Sequence, residues 1–224
     1  MKTHRMATNA PNTLRIPMVL LAAFDLTILA VHLWPWPEIV NLPGNGTVAF
    51  DPVLSLLAMI ALIPWISSGI KEPTAKALSA GAMTGVVAGV VLIANVVLES
   101  HDGVQPVFLR PALLGLAAIL WGVAGMRGAR AAGSAGMGAL AGLWGAVVSC
   151  LMACAAVLGQ FYLTAGTQNA PDPWKEYQGL AIGNTAMQEL VHTLNTATGF
   201  LLIGPLAGAV VGLIFAFFSQ GQKG

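Results

Sequence analysis

Asp25 places a carboxyl group in the middle of an apolar run, and His32 follows two helical turns later on the same face. Further along, Asn95 and Glu99 stand four residues apart, with His101 and Asp102 immediately beyond. Arg110 lies between Leu109 and Pro111, just inside the start of another apolar run. Glu189 and His192 form an E-x-x-H pair, which a helix sets on one stripe. Two chemistries suit these residue types. His, Glu and Asp donors match zinc, iron or manganese. E-x-x-H motifs build di-iron sites in helical bundles when two copies join two further Glu. One copy is present here, so no cofactor is expected, and a metal at Glu189/His192 is the minor reading. The other chemistry is a proton- or substrate-linked polar site. The bland alternative is a solvated rim whose His and acids merely tolerate water.

Asp25 is the hardest of these to assign to packing. A carboxyl taken out of water is either neutral and hydrogen-bonded or paired with a cation. Arg110 is the one basic residue inside the apolar runs, which makes it the candidate counter-ion. A neutral Asp25 bonded to a neighbouring helix is the equal alternative. Other chemistries find no support. There is no Walker A motif, no H-E-x-x-H and no G-x-S-x-G. Four His, one of them His4, leave little room for a bis-His haem. No Lys in a late helix offers a retinal Schiff base. Cys150 and Cys154, four apart on one helix face, read as small apolar packing residues, not as a disulfide.

The elements that carry these groups are membrane spans. Hydrophobic residues make up 56% of the 224-residue chain, charged residues 8%, and the mean hydropathy is +0.77. So little charge does not cover a water-facing surface of this size. Crossing a hydrocarbon core of about 30 Å takes about 20 apolar residues as a helix. Six runs meet that need: 16–34, 50–70, 77–98, 104–126, 135–163 and 197–218. None alternates as barrel strands would. The expected fold is all-α, a polytopic bundle of six transmembrane helices in a single domain, 1–224. The first run contains Asp25 and is followed by Trp34-Pro35-Trp36-Pro37-Glu38, so it reads as a retained helix and not as a cleaved signal peptide.

Basic residues orient the bundle. Eight of the ten lie on one side: Lys2, Arg5, Arg15, Lys71, Lys76, Arg127, Arg130 and Lys223. Both termini are therefore expected in the cytoplasm, with segments 35–49, 99–103 and 164–196 outside. Trp34, Trp36, Trp65, Trp121, Trp174 and Tyr177 fall near span ends or in outer loops, as interfacial anchors do. His32, Glu99, His101, Asp102, Arg110, Glu189 and His192 all belong to the outer half. A net charge of +1 and the lack of a basic stripe argue against nucleic acid as a partner.

Small residues recur at four-residue spacing in three helices, the pattern of a glycine zipper. They are Gly81, Gly85 and Gly89; Gly138, Gly142 and, three further on, Gly145; and Gly204, Gly208 and Gly212. In lipid, such faces let backbones approach closely. The segment 180–196 is amphipathic, with Thr185, Glu189, His192 and Thr196 on one side. It is expected either to lie along the outer interface as a separate helix or to project outward, with Gly199 and Pro205 as bend points.

Three functions fit: a permease or channel-like protein, or transporter membrane subunit, for a small solute or ion; a non-catalytic subunit of a larger membrane complex; and a metal-dependent membrane enzyme. The expected partners are the lipid bilayer and either further copies of the chain or other membrane subunits. The expected location is a bacterial inner (plasma) membrane.

Overall fold

The computed structural model describes residues 10–35, 37, 39, 48–67, 72–99, 108–164 and 185–220. Six helices account for nearly all of them: α1 (Ala10–Leu33), α2 (Phe50–Ser67), α3 (Glu72–Glu99), α4 (Leu109–Ala132), α5 (Ala135–Thr164) and α6 (Thr185–Gln220). There is no strand among the described residues. Five helices are long and apolar enough to cross a membrane, and α2, at 18 residues, is the shorter sixth. The protein is a helical membrane bundle.

Helix α5 is its axis. Helices α3, α4 and α6 all pack against α5 and α4 touches both α3 and α6, so α3–α6 form a four-helix body. Helices α1 and α2 make a hairpin on its flank, α1 against α5 and α2 against α6. Large apolar side chains are exposed on the other five helices, for example Leu20, Leu57, Val90, Ile119 and Leu206, and on none of the described part of α5. The exposed ring faces acyl chains, and α5 is the most buried of the five spans.

Glycine explains how closely the body packs. A Cβ built on Gly85 of α3 would lie 2.6 Å from the Gly145 carbonyl oxygen of α5. One on Gly81 would strike the Ala141 carbonyl oxygen. On the other side of α5, a Cβ on Gly142 would strike the Gly208 carbonyl oxygen and lie 2.7 Å from Gly212 Cα, both on α6. Gly138 abuts Ala216, and Gly204 abuts Cys150 Sγ. Gly89 abuts the Met152 thioether. Because lipid tails are as apolar as the helices, this approach is held by dispersion and weak Cα–H···O contacts, with no net hydrophobic drive. Helix α4 joins through its own glycines, Gly122 against Phe215, Gly125 against Gly212, and Gly128 against Ala141. That face went unremarked in the sequence because its spacing is three, not four.

Several expectations change. Helix α4 runs through Arg127 and Arg130, which lie in its last turns and not in a loop. Cations there also complement the helix dipole. Gly133 then turns the chain with φ 74°, its N–H donating to Ala129 O at 2.8 Å, a conformation that costs a side-chain-bearing residue. Ser134 caps α5 by accepting from Met137 N–H at 3.3 Å. Trp121 is no interfacial anchor. It is buried against α5, where its indole N–H donates to Ser149 Oγ at 3.0 Å, and Ser149 donates to Ala146 O at 3.0 Å. Trp34 and Trp65, by contrast, are exposed near helix ends as anchors are. Trp36, Trp174 and Tyr177 lie outside the described residues.

The outer segment is not a separate interfacial helix. Helix α6 runs unbroken for 36 residues, about 54 Å, with Pro205 inside it. The apolar side of its outer part, Met187, Leu190, Val191 and Leu194, is buried in the same cluster as Ile39, Val48 and Ala49, which precede α2. Burial against protein, and not against headgroups, is what that amphipathic pattern encodes.

Candidate functional site

The polar residues divide between two places. The outer one joins three helix ends. Glu99, last residue of α3, accepts from Arg110 Nη2 at 2.7 Å, Arg110 being in the first turn of α4. The same Glu99 Oε1 lies 3.9 Å from His192 Nε2 on α6. Sequence reasoning put Glu99 and His192 on one face without being able to say that they meet, and they do. Arg110 and Glu99 keep 46% and 26% side-chain exposure, so solvent screens the pair and it contributes at most about 1 kcal/mol. Glu189, one turn before His192, is half-buried and has a partner of its own. Asn95, one turn before Glu99, is buried with its side-chain oxygen unbonded. His101 and Asp102 lie outside the described residues. Among the described residues, no three His, Cys, Asp or Glu side chains are grouped to hold a metal ion.

This geometry overturns one expectation. Arg110 is not the counter-ion of Asp25, because its guanidinium is engaged with Glu99 at the outer rim, while Asp25 sits mid-span in α1. His32, near the end of α1, lies on the same buried stripe as Asp25.

The second place is the seam between α1 and α5. Along α1 the buried residues are Met18, Ala22, Asp25, Leu29 and His32, and among the many buried residues of α5 one stripe is Trp144, Val147, Leu151, Cys154, Leu158 and Phe161. Both stripes follow alternating three- and four-residue steps, the heptad spacing of two helices packed side by side. One ring contact and one longer-range electrostatic proximity set the register. Asp25 interacts electrostatically with Cys154, and the His32 ring lies 4.9 Å from that of Phe161, tilted by 51°. Both partners sit at the same offset in sequence, so α1 and α5 run parallel and in step.

Asp25 therefore occupies a core position of this seam. It is 0% exposed, and neither carboxyl oxygen has a hydrogen-bond partner. The hydroxyls of the spans give it no help, because they turn back onto their own helices. Thr27 donates to Ala23 O at 2.8 Å, Ser55 to Asp51 O at 2.6 Å and Thr84 to Ala80 O at 2.6 Å. His32, 2% exposed, is oriented by a bond between Nδ1 and Ile28 O at 2.7 Å. The Trp144 indole N–H, on the α5 stripe nearer the N-terminal end of that helix, is also buried and unbonded. The heptad stripes and the role of Cys154 were missed in the sequence. The steps from Met18 to His32 carry the signal, since two polar residues share a stripe with three apolar ones.

No family model, no curated protein and no solved structure matches the chain. The functional reading rests on this geometry.

Proposed function

We propose that the protein is a small permease of a bacterial plasma membrane, moving a small solute or ion, with the α1/α5 seam as its working element. The observation that carries this reading is Asp25, wholly buried at mid-span without a hydrogen bond or counter-ion among the described residues. An ionised carboxylate in such a place costs several kcal/mol. Ionisable groups inside spans are retained where they carry ions or protons, or bind a solute. The division of the molecule supports the same reading. Four helices are locked through glycine, whereas α1 meets that body only through α5 and, slightly, α3. Helices α1 and α2 pack on each other as a hairpin and rest on that body through α5 and α6, so the hairpin is the part free to move against it. Helical spans, as opposed to barrel strands, support the plasma membrane as its location.

The test is charge movement by the purified protein in proteoliposomes on a solid support. Panels of amino acids, sugars, organic acids and inorganic ions are applied with and without a pH gradient. At least one solute is expected to give a current that Asp25→Asn abolishes. Currents no larger than those of protein-free liposomes for the whole panel, with the protein purifying alongside other chains, would make it an accessory subunit.

A further inference from the structure

We propose that Asp25 is a proton-binding site, loaded from the outer face by way of His32. This deepens the permease reading and rests on it for its physiological use, but its chemistry can be tested separately. The first argument is the ligand shell. A metal cation requires several oxygen donors around it, six or more for calcium or magnesium. Asp25 offers one carboxyl, and the buried residues of its own stripe and of the two helices that pack on α1 are mainly hydrocarbon and thiol: Ala22 and Leu29 on α1, Leu56 and Met59 on α2, and Leu151, Cys154 and Leu158 on α5. No group of three acidic, His or Cys side chains exists among the described residues. A proton needs one oxygen, and it removes the charge that hydrocarbon rejects.

The second argument is position. His32 stands on the same buried stripe, one residue from the outer end of α1, and its ring is already oriented by Ile28 O and packed against Phe161. Imidazole takes up and releases protons in the physiological range. The axial step from His32 to Asp25 is about 10 Å, so transfer requires water to enter as the seam parts. The titratable groups facing Asp25 are few. Helix α5 presents Cys154, with Cys150 a turn away. Helices α2 and α3 carry their titratable residues, Asp51, Glu72, Lys76 and Glu99, at their ends, and α6 carries Glu189 and His192 in its outer part. Among the described residues, Asp25 thus has no second acid beside it when it binds its proton.

Dicyclohexylcarbodiimide tests this, because it adds to a protonated carboxyl buried in a membrane and leaves a stable N-acylurea detectable by mass. In lipid vesicles, wild type is expected to gain one adduct, mapped to Asp25. Labelling should fall at least tenfold from mildly acidic to strongly alkaline pH, be absent from Asp25→Asn, and be indifferent to sodium or calcium. Protection by either cation would overturn the proton in favour of a metal ion. No adduct at any pH, while detergent-unfolded protein labels, would make Asp25 a sealed structural group. In sealed vesicles with the inner pH clamped, labelling should follow the pH on the outer-loop side, and His32→Phe should remove most of that response. Labelling that follows the cytoplasmic side instead overturns the entry route. An adduct without solute current leaves the proton site standing and defeats the permease reading; solute current that survives Asp25→Asn, with no adduct, does the reverse.

Discussion

At the scale of single residues, the α1 stripe keeps one group that its packing does not need. Every other position of the α1 seam stripe is either apolar or, in His32, hydrogen-bonded. Asp25 is neither. A buried polar group left without partners costs about 1–3 kcal/mol by the measure of protein mutations. Replacing it with a hydrocarbon side chain of similar size completes the stripe. Asp25→Leu is therefore expected to raise the thermal unfolding midpoint in detergent while abolishing solute current, the usual opposition of stability and activity at a working site. A midpoint below that of wild type would mean that Asp25 holds the helices together. Glu99, Arg110 and His192 behave differently. They are partly exposed and paired, so they pin the outer ends of α3, α4 and α6 at little gain in stability.

At the scale of elements, hydropathy was enough to reveal the helices and their approximate ends, because a span announces itself by composition alone. It did not reveal neighbours. The glycines of α3, α5 and α6 were visible as faces, yet which face meets which depends on packing that no single helix records. Gly81 and Gly85 meet one side of α5, while Gly208 and Gly212 meet another. The α1/α5 stripe stayed hidden for a related reason: around a lipid-facing helix, apolar residues also fill the outer side, so the buried stripe does not stand out. The two classes of glycine now make a sharp comparison. A side chain at Gly85 or Gly142 runs into the backbone of the neighbouring helix, whereas nothing lies within 4 Å of a Cβ at Gly115. Gly85→Leu and Gly142→Leu are expected to abolish the monodisperse peak of the folded protein in size-exclusion chromatography. Gly115→Ala should be neutral or stabilising, by up to about 1 kcal/mol from helix propensity. Leucine tolerated at both close positions would mean that the body packs differently.

At the scale of the whole molecule, the locked body and the flanking hairpin make a statement about direction as well as motion. If both termini are cytoplasmic, as the basic residues imply, α1 and α5 cross the membrane in the same sense, which is what their parallel seam requires. Reporter fusions after residues 40, 72 and 224 should read outside, inside and inside. The register allows a stricter test. Met18 stands level with Val147, because the same sequence offset separates Asp25 from Cys154 and His32 from Phe161. In a background with Cys150 and Cys154 replaced by Ala, itself first shown to retain solute current, Met18→Cys with Val147→Cys should cross-link readily under mild oxidation. Met18→Cys with Val157→Cys should not, since ten residues along a helix displace the second thiol by about 15 Å. If α1 must leave α5 for Asp25 to exchange its proton, the level cross-link also stops solute current and carbodiimide labelling together, and a reductant restores both. A cross-linked protein that still conducts and still labels would show that the seam stays closed throughout, and that the route to Asp25 runs elsewhere.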